Sequence, residues 1–253
     1  MTDNYYQDKG IIAILKDKLK EGGFFFMLKE IFEFVWDMVI MRFLFLKPKR
    51  SFIYKGLFGV GGQKLDYLYY GYNKTWKNER SIEIPIALHE LEKYKGKRIL
   101  EVGNVLKHYT KVDHEVLDKY EPGEGIIHED IVNFNHSEYD FILSISTMEH
   151  VGIDDKPVNP YKTIVALQKM QNMLKEDGKI FISFPMGYNS ALTGLSEMSA
   201  LLNNNLTCFK KIDNKKNIWE EVSYVKVRDI PYQQPVQAVA FLEIGKGDDI
   251  CLS

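Results

Sequence analysis

Residues 98–104, Arg-Ile-Leu-Glu-Val-Gly-Asn, form an apolar run that carries one acid and stops on Gly103. A short continuous run of this kind reads as a buried strand. Its terminal glycine lets backbone N–H groups approach a ligand, because no Cβ stands in the way. Glu101 lies near the carboxyl end of that strand, where open α/β sheets keep their ligand crevice. A carboxylate there accepts hydrogen bonds from a sugar or an ammonium group, so the stretch points to a nucleoside cofactor.

From Lys97 onward the pattern alternates between strand and helix. Strands are expected at about 98–103, 114–118, 125–129, 139–145, 178–184, 206–212 and 236–244, and helices at about 105–112, 159–175 and 195–203. In the helix near 159–175, Ile164, Leu167, Met170, Met173 and Leu174 recur at helical spacing, with Asp177-Gly178 as its stop. Alternation of this sort implies an α/β fold with a seven-stranded, mainly parallel sheet and helices on both faces. The chain has 253 residues, 45% of them apolar, which suffices for such a domain and an extension before it.

Three segments follow: a helical, apolar N-terminal extension at 1–50, a cap or lid at 51–96, and a cofactor-binding domain at 97–253. Residues 11–20 pattern as a short amphipathic helix. Apart from Glu30, Glu33 and Asp37, almost all of residues 24–46 are aromatic or aliphatic, and the central charges argue against a membrane span. Two readings stay open for this helix. Either it is buried against its own domain or in a homodimer, or it lies in a lipid interface through residues 24–50, with Lys47, Lys49 and Arg50 as the basic flank. Gly56, Gly59, Gly61 and Gly62 mark a turn, since the lysine of a phosphate-binding loop is misplaced. Tyr69, Tyr72, Trp76, Asn78, Glu79 and Arg80 group aromatic and polar residues, either packing the cap on the main domain or closing over a cofactor, with Arg80 free to meet a carboxylate. A net charge of −2 gives no reason to expect nucleic acid. Cys208 and Cys251 fit no disulfide or zinc pattern, six scattered histidines suggest no metal, and the cytoplasm is the default compartment, with peripheral contact to the inner face of the membrane left open.

Downstream of Gly103 the chemistry-bearing residues come in order. Asp118 ends the second strand, where a carboxylate binds ribose hydroxyls. Asp130 follows the third strand, placed to accept from an adenine amino group, with Ile131 beside it to pack on the ring. Ser146-Thr147-Met148-Glu149-His150 leaves the fourth strand, and Leu174-Lys175-Glu176-Asp177-Gly178 leads into the fifth. This succession resembles the class I S-adenosylmethionine-dependent methyltransferases over about residues 97–245. The resemblance implies a Rossmann-like fold with S-adenosylmethionine held by Glu101, Gly103, Asn104, Asp118, Asp130, Ile131 and Ser146, with Arg80 from the lid. It also implies methyl transfer to a nucleophile, most plainly a hydroxyl of a small molecule or of a surface-glycan or lipid-linked sugar.

Where that family has G-x-G, this chain has Gly103-Asn104-Val105, so the loop must turn differently or Asn104 must take the unusual conformation. The G-x-G-x-x-G of dinucleotide enzymes is absent, which disfavours an oxidoreductase; a catalytically silent membrane-bound module is the other competitor. His150 is the catalytic candidate, because an imidazole takes up a proton near neutral pH. Glu149, Tyr188, Asn189 and Tyr72 are the acceptor-binding candidates, with Pro185–Asn189 as one wall and Tyr232 and Gln234 as another. Each acid also has a structural reading: Glu101 paired with Arg98 or Lys97, Asp118 in a turn, Asp130 as a cap, and His150 in a loop hydrogen bond.

Overall fold

Residues that alternate between two apolar faces decide the architecture. The computed structural model describes residues 56–201, 205–248 and 250, together with seven helical positions between Phe25 and Val39. The chain divides into two compact units, Met1–Lys55 and Gly56–Ser253. Within the first unit, the side chains of Phe25, Leu28, Phe32, Val35, Trp36 and Val39 are exposed, and Phe32 stacks on Trp36 at 6.1 Å. The helix expected at 11–20, the acids Glu30, Glu33 and Asp37, and the basic flank Lys47, Lys49 and Arg50 lie outside the described residues.

The second unit opens with a hairpin, β1 (Leu57–Val60) and β2 (Gln63–Asp66). Gly61 and Gly62, at φ +55° and +79°, supply the two left-handed residues that a tight hairpin needs. The glycine-marked turn is therefore part of a strand pair. Helix α1 (Arg80–Lys93) follows. Pro85 inside it has no N–H to offer the carbonyl of Ser81, and that carbonyl accepts from the Leu68 N–H instead, at 2.9 Å.

Eight further strands form one sheet: β3 (Ile99–Val102), β4 (Glu115–Leu117), β5 (Ile126–Ile127), β6 (Tyr139–Ile145), β7 (Leu174–Pro185), β8 (Leu206–Asp213), β9 (Ile218–Val222) and β10 (Ala238–Gly245). Their order is β5-β4-β3-β6-β7-β10-β8-β9. The first five in that order are parallel, and the last three join antiparallel. Chain order reverses between β3 and β6, which is where such sheets open a crevice at their carboxyl ends. The fold is a Rossmann-like α/β sheet, with eight strands rather than the seven expected. The extra strand is β9, whose Glu220 and Glu221 interrupt the apolar alternation that would have announced it.

Along β6, neighbouring residues point to opposite faces. Ile142, with Leu100, Ile180 and Leu242, packs against Ile164, Leu167 and Met170 of helix α2 (Tyr161–Asn172) and Leu192 of helix α3 (Ser190–Leu201). Phe141 and Leu143, with Phe181 and Phe241, pack against Ile82 and Ala87 of α1. The segment expected as a lid thus covers one whole face of the sheet. Two local expectations differ from the structure. The helix at 105–112 is a single 3-10 turn, Leu106–His108, because little chain separates Gly103 from β4. The glycine stop at Gly178 lies inside β7, where a Cβ would come within 2.8 Å of the Tyr139 carbonyl oxygen.

Phe141 is fully buried and stacks on Tyr94 at 4.2 Å. Phe141→Ala is expected to cost about 3–5 kcal/mol in urea unfolding, and Val165→Ala, on the solvent side of α2, less than about 0.5 kcal/mol.

Candidate active site

The loop that leaves β3 turns on one left-handed residue, Gly103 at φ +94°. A Cβ there would overlap the Thr147 side chain, which belongs to the loop leaving β6. Val105, at φ −102°, needs no unusual conformation, so the second glycine of the related motif is dispensable here. Glu101 explains the turn. It is fully buried; its Oε1 accepts from the Val105 and Leu106 N–H groups at 2.9 and 2.8 Å, and its Oε2 lies 2.9 Å from His114 Nε2. Expected to contact a cofactor, Glu101 instead shapes the loop that would do so. Its partners are neither Arg98 nor Lys97.

Asp118 ties this loop to the next. Its Oδ2 accepts from Asn104 N–H at 2.9 Å, and its Oδ1 accepts from the N–H groups of Tyr120 and Glu121, both at 2.7 Å. Asn104 is 6% exposed, and its Oδ1 has no hydrogen-bond partner. Asp130 belongs to a four-membered ion cluster: Lys162 lies 2.7 Å from Asp130 and 2.5 Å from Asp155, and Lys119 lies 3.1 and 2.9 Å from the same two acids. Hydrogen bonds from Lys162 and Lys119 hold the Asp155 carboxyl down at about 2. Ile131 is buried in the core under α2. Of the expected adenine wall, Asp130 is paired with lysines and Ile131 is packed in the core. The three acids 101, 118 and 130 serve mainly to fix loops.

A residue that the sequence did not single out organises the other side. Glu83, on the first turn of α1, is fully buried. Its Oε1 accepts from Ser146 Oγ at 2.6 Å and Ser183 Oγ at 2.8 Å, and its Oε2 accepts from Arg80 Nη1 at 2.9 Å. Ser146 is a non-glycine residue at φ +38°, a conformation that survives only where its surroundings over-determine it. Ser146 and Arg80 are expected at the cofactor; the structure joins both to Glu83 instead. An acid within Ser-Ile-Glu-Ile-Pro, flanked by isoleucines, was the available signal.

Arg80 is also in electrostatic reach of Glu79 and Glu149. Glu149 is 2% exposed, and Glu149 Oε2 and Glu79 Oε2 are buried without a hydrogen-bond partner. Burial, and then the charge of Glu83, raise the carboxyls of both. Next to Glu149 stands His150, whose Nδ1 lies 2.9 Å from Asp154 Oδ2. Burial pushes the imidazole below its usual 6.5, against the pull of Asp154. The Tyr188 hydroxyl approaches His150 Nδ1 at 3.2 Å and donates to Asp154 Oδ1 at 3.3 Å, and burial raises it to about 12. Tyr188 and Tyr232 meet edge to face at 4.7 Å, so the two expected acceptor walls do touch. Asn189 does not join them. It is buried, with its amide donating to the Glu149 carbonyl and Thr163 Oγ1 and its Oδ1 capping the start of α3 at Ala191 N–H. Tyr72 is exposed and stacks on His108 at 4.2 Å, over the loop after β3.

With this geometry in hand, the chain can be set beside known proteins. The family described as "Caenorhabditis protein of unknown function, DUF268" matches residues 92–193. No curated protein matches the sequence. The solved structures that it resembles are methyltransferases. A TehB-like S-adenosylmethionine-dependent methyltransferase from Corynebacterium glutamicum has 16% identity and a TM-score of 0.38, over 62% of this chain and 85% of that one. An S-adenosylmethionine-dependent methyltransferase from Clostridium acetobutylicum has 12% identity and a TM-score of 0.33, over 64% and 89%. A sugar N-methyltransferase from a Streptoalloteichus species has 13% identity and a TM-score of 0.32, over 52% and 61%.

Gly103→Ala must hold an alanine at positive φ and displace Thr147, and is expected to cost about 1–3 kcal/mol in urea unfolding. The ion cluster sets an acid limit. Because the Asp155 carboxyl is depressed in the folded state, its stabilisation is full above the usual 3.8 and is lost as pH falls through about 2. Asp155→Asn should flatten the loss of thermal stability between those two values.

Proposed function

We propose that the protein is an S-adenosylmethionine-dependent methyltransferase that methylates a hydroxyl of a small molecule or sugar. The observation that carries this reading is the His150–Asp154 pair beside the Gly103 turn, at the carboxyl ends of β3 and β6. Three residues fit the cofactor. Gly103 keeps backbone close to the crevice, Asn104 Oδ1 is a buried acceptor in need of a donor, and Asp118 Oδ2 accepts one bond and has capacity for another. The cofactor, when bound, supplies a methyl group already activated by a sulfonium.

The rest is positioning and one proton transfer. Asp154 accepts from His150 Nδ1–H, which fixes the tautomer and leaves Nε2 with its lone pair. The depressed imidazole is neutral at pH 7 and ready to take the hydroxyl proton as the oxygen attacks. Its side chain is 42% exposed, so the proton can pass on to water. The loops fixed by Glu101, Asp118 and Glu83 hold donor and acceptor in line, which is most of what this reaction asks of a protein.

The exposed helix positions support a membrane contact. Placed at about 100° per residue, Phe25, Leu28, Phe32, Val35, Trp36 and Val39 fall on one stripe about 100° wide, with Lys29 at its edge. A helix over 25–39 would be about 21 Å long against a hydrocarbon core of about 30 Å, and among the described residues no helix is long and apolar enough to cross a membrane. An apolar, aromatic stripe followed in sequence by Lys47, Lys49 and Arg50 matches the surface of an anionic bilayer.

Calorimetry should show S-adenosylhomocysteine binding; no binding would sink the cofactor reading. With an acceptor found by labelled-methyl transfer to a panel of sugars and alcohols, His150→Ala should lower kcat by about 10²–10⁴. The wild-type rate should rise with pH and level off above an apparent pKa below 6.5. The protein should float with phosphatidylglycerol vesicles and stay behind as Phe32→Asp/Trp36→Asp; equal flotation of both, or of neither, would overturn the lipid contact.

A further inference from the structure

The acids around Arg80 do not balance. Glu79, Glu83 and Glu149 face two cations, Arg80 and Lys211. Arg80 is committed to Glu83 at 2.9 Å. Lys211 is 5% exposed, lies over the Trp219 ring, donates to the Lys77 carbonyl and is brought down to about 8 by burial, with Glu79 opposing. Among the described residues, one carboxylate is left without a counter-charge when all are ionised. The unsatisfied oxygens identify where: Glu149 Oε2, on a side chain 3% exposed, and Glu79 Oε2.

What both oxygens lack is a donor, since an ionised carboxylate only accepts. An ammonium group offers three donors and the missing charge together. Its position is constrained by His150, whose Nε2 lies 3.8 Å from Glu149 Oε1. A hydroxyl at Nε2 and a cationic nitrogen at Glu149 are then within the span of one short amino alcohol.

We propose that Glu149, with Glu79, forms a subsite for a protonated amine, and that the acceptor is a 1,2-amino alcohol whose hydroxyl meets His150 Nε2. This rests on the methyl-transfer reading for the fate of the hydroxyl, while the amine subsite stands on its own geometry. Binding is linked to a proton. In the absence of the amine, burial and the charges of Glu83 and Glu79 raise the Glu149 carboxyl, against Arg80. An ammonium at Oε2 favours the ionised form, so amine binding lowers that carboxyl and drives net proton release to buffer. His150, with Asp154 behind it, and the Tyr188 hydroxyl are further described titratable groups that face Glu149, and burial lowers the imidazole and raises the phenol.

The test is calorimetric titration of the full chain, saturated with S-adenosylhomocysteine, by 2-aminoethanol and by ethane-1,2-diol at pH 7, in phosphate and in Tris. The amino alcohol should bind at least about tenfold tighter than the diol, with net proton release on binding, read from the difference in heat between the buffers. Glu149→Gln should keep S-adenosylhomocysteine binding, which reports an intact fold, and lose both the preference and the proton release. Equal affinity for the two probes, no binding of either, or a preference that survives in Glu149→Gln would overturn the proposal. If the variant fails to fold, the wild-type proton release decides alone. Failure of S-adenosylhomocysteine to bind counts against the cofactor reading, and the same amine titration on the cofactor-free protein still decides the subsite.

Discussion

The buried carboxylate of Glu83 is the interaction on which the crevice depends. A fully buried acid is costly unless every oxygen is met, and three donors from three elements meet this one: Ser146 after β6, Ser183 on β7 and Arg80 on α1. The helix is thereby tied to the carboxyl ends of the two central strands. Ser146 is held left-handed, Thr147 is carried against Gly103, and Arg80 is brought among Glu79 and Glu149. Removing Glu83 would strand two hydroxyls and a guanidinium in an apolar setting, so the cost of losing the acid exceeds the worth of any one bond.

The loops on the other side use the same device with backbone donors. Glu101 and Asp118 together accept five N–H groups, from residues 104, 105, 106, 120 and 121. Acids that would serve as ligand contacts in a looser crevice here make the rim stiff. Stiffness of that kind favours a reaction whose main demand is alignment. Against this well-satisfied frame the bare oxygens of Glu149 and Glu79 stand out, together with Asn104 Oδ1, Trp76 Nε1 and the Tyr109 hydroxyl among the described residues, since each buried polar atom left unpaired asks for a reason.

Much of the frame was legible in the sequence, for a physical reason. Continuous apolar runs such as Phe141–Ile145 are dictated by burial on both faces, and β3, β4, β6, β8 and β10 lie within a residue or two of where the sequence pattern puts them. The helical turn at Arg80–Pro85 was harder, because the alternating Ser-Ile-Glu-Ile-Pro resembles a strand and Pro85 resembles a stop. In the site, Gly103 was readable because only a glycine clears Thr147. Glu83 was not, since its partners Ser146 and Ser183 are 63 and 100 residues away. A sequence places an acid at a strand end but does not tell who fills its lone pairs, and the partners of Glu101 and Asp130 were not legible for that reason.

The stretch shared with the matched family begins at residue 92, beyond the first turns of α1. Glu79, Arg80 and Glu83 all precede it. The strand ends and turns of that stretch therefore hold only part of the buried acid network, and the rest comes from upstream. Transplanting 92–193 onto a foreign leader would carry Ser146 and Ser183 without the anion that locks them. Changes in the helix before the sheet would retune that network while leaving the strands themselves untouched.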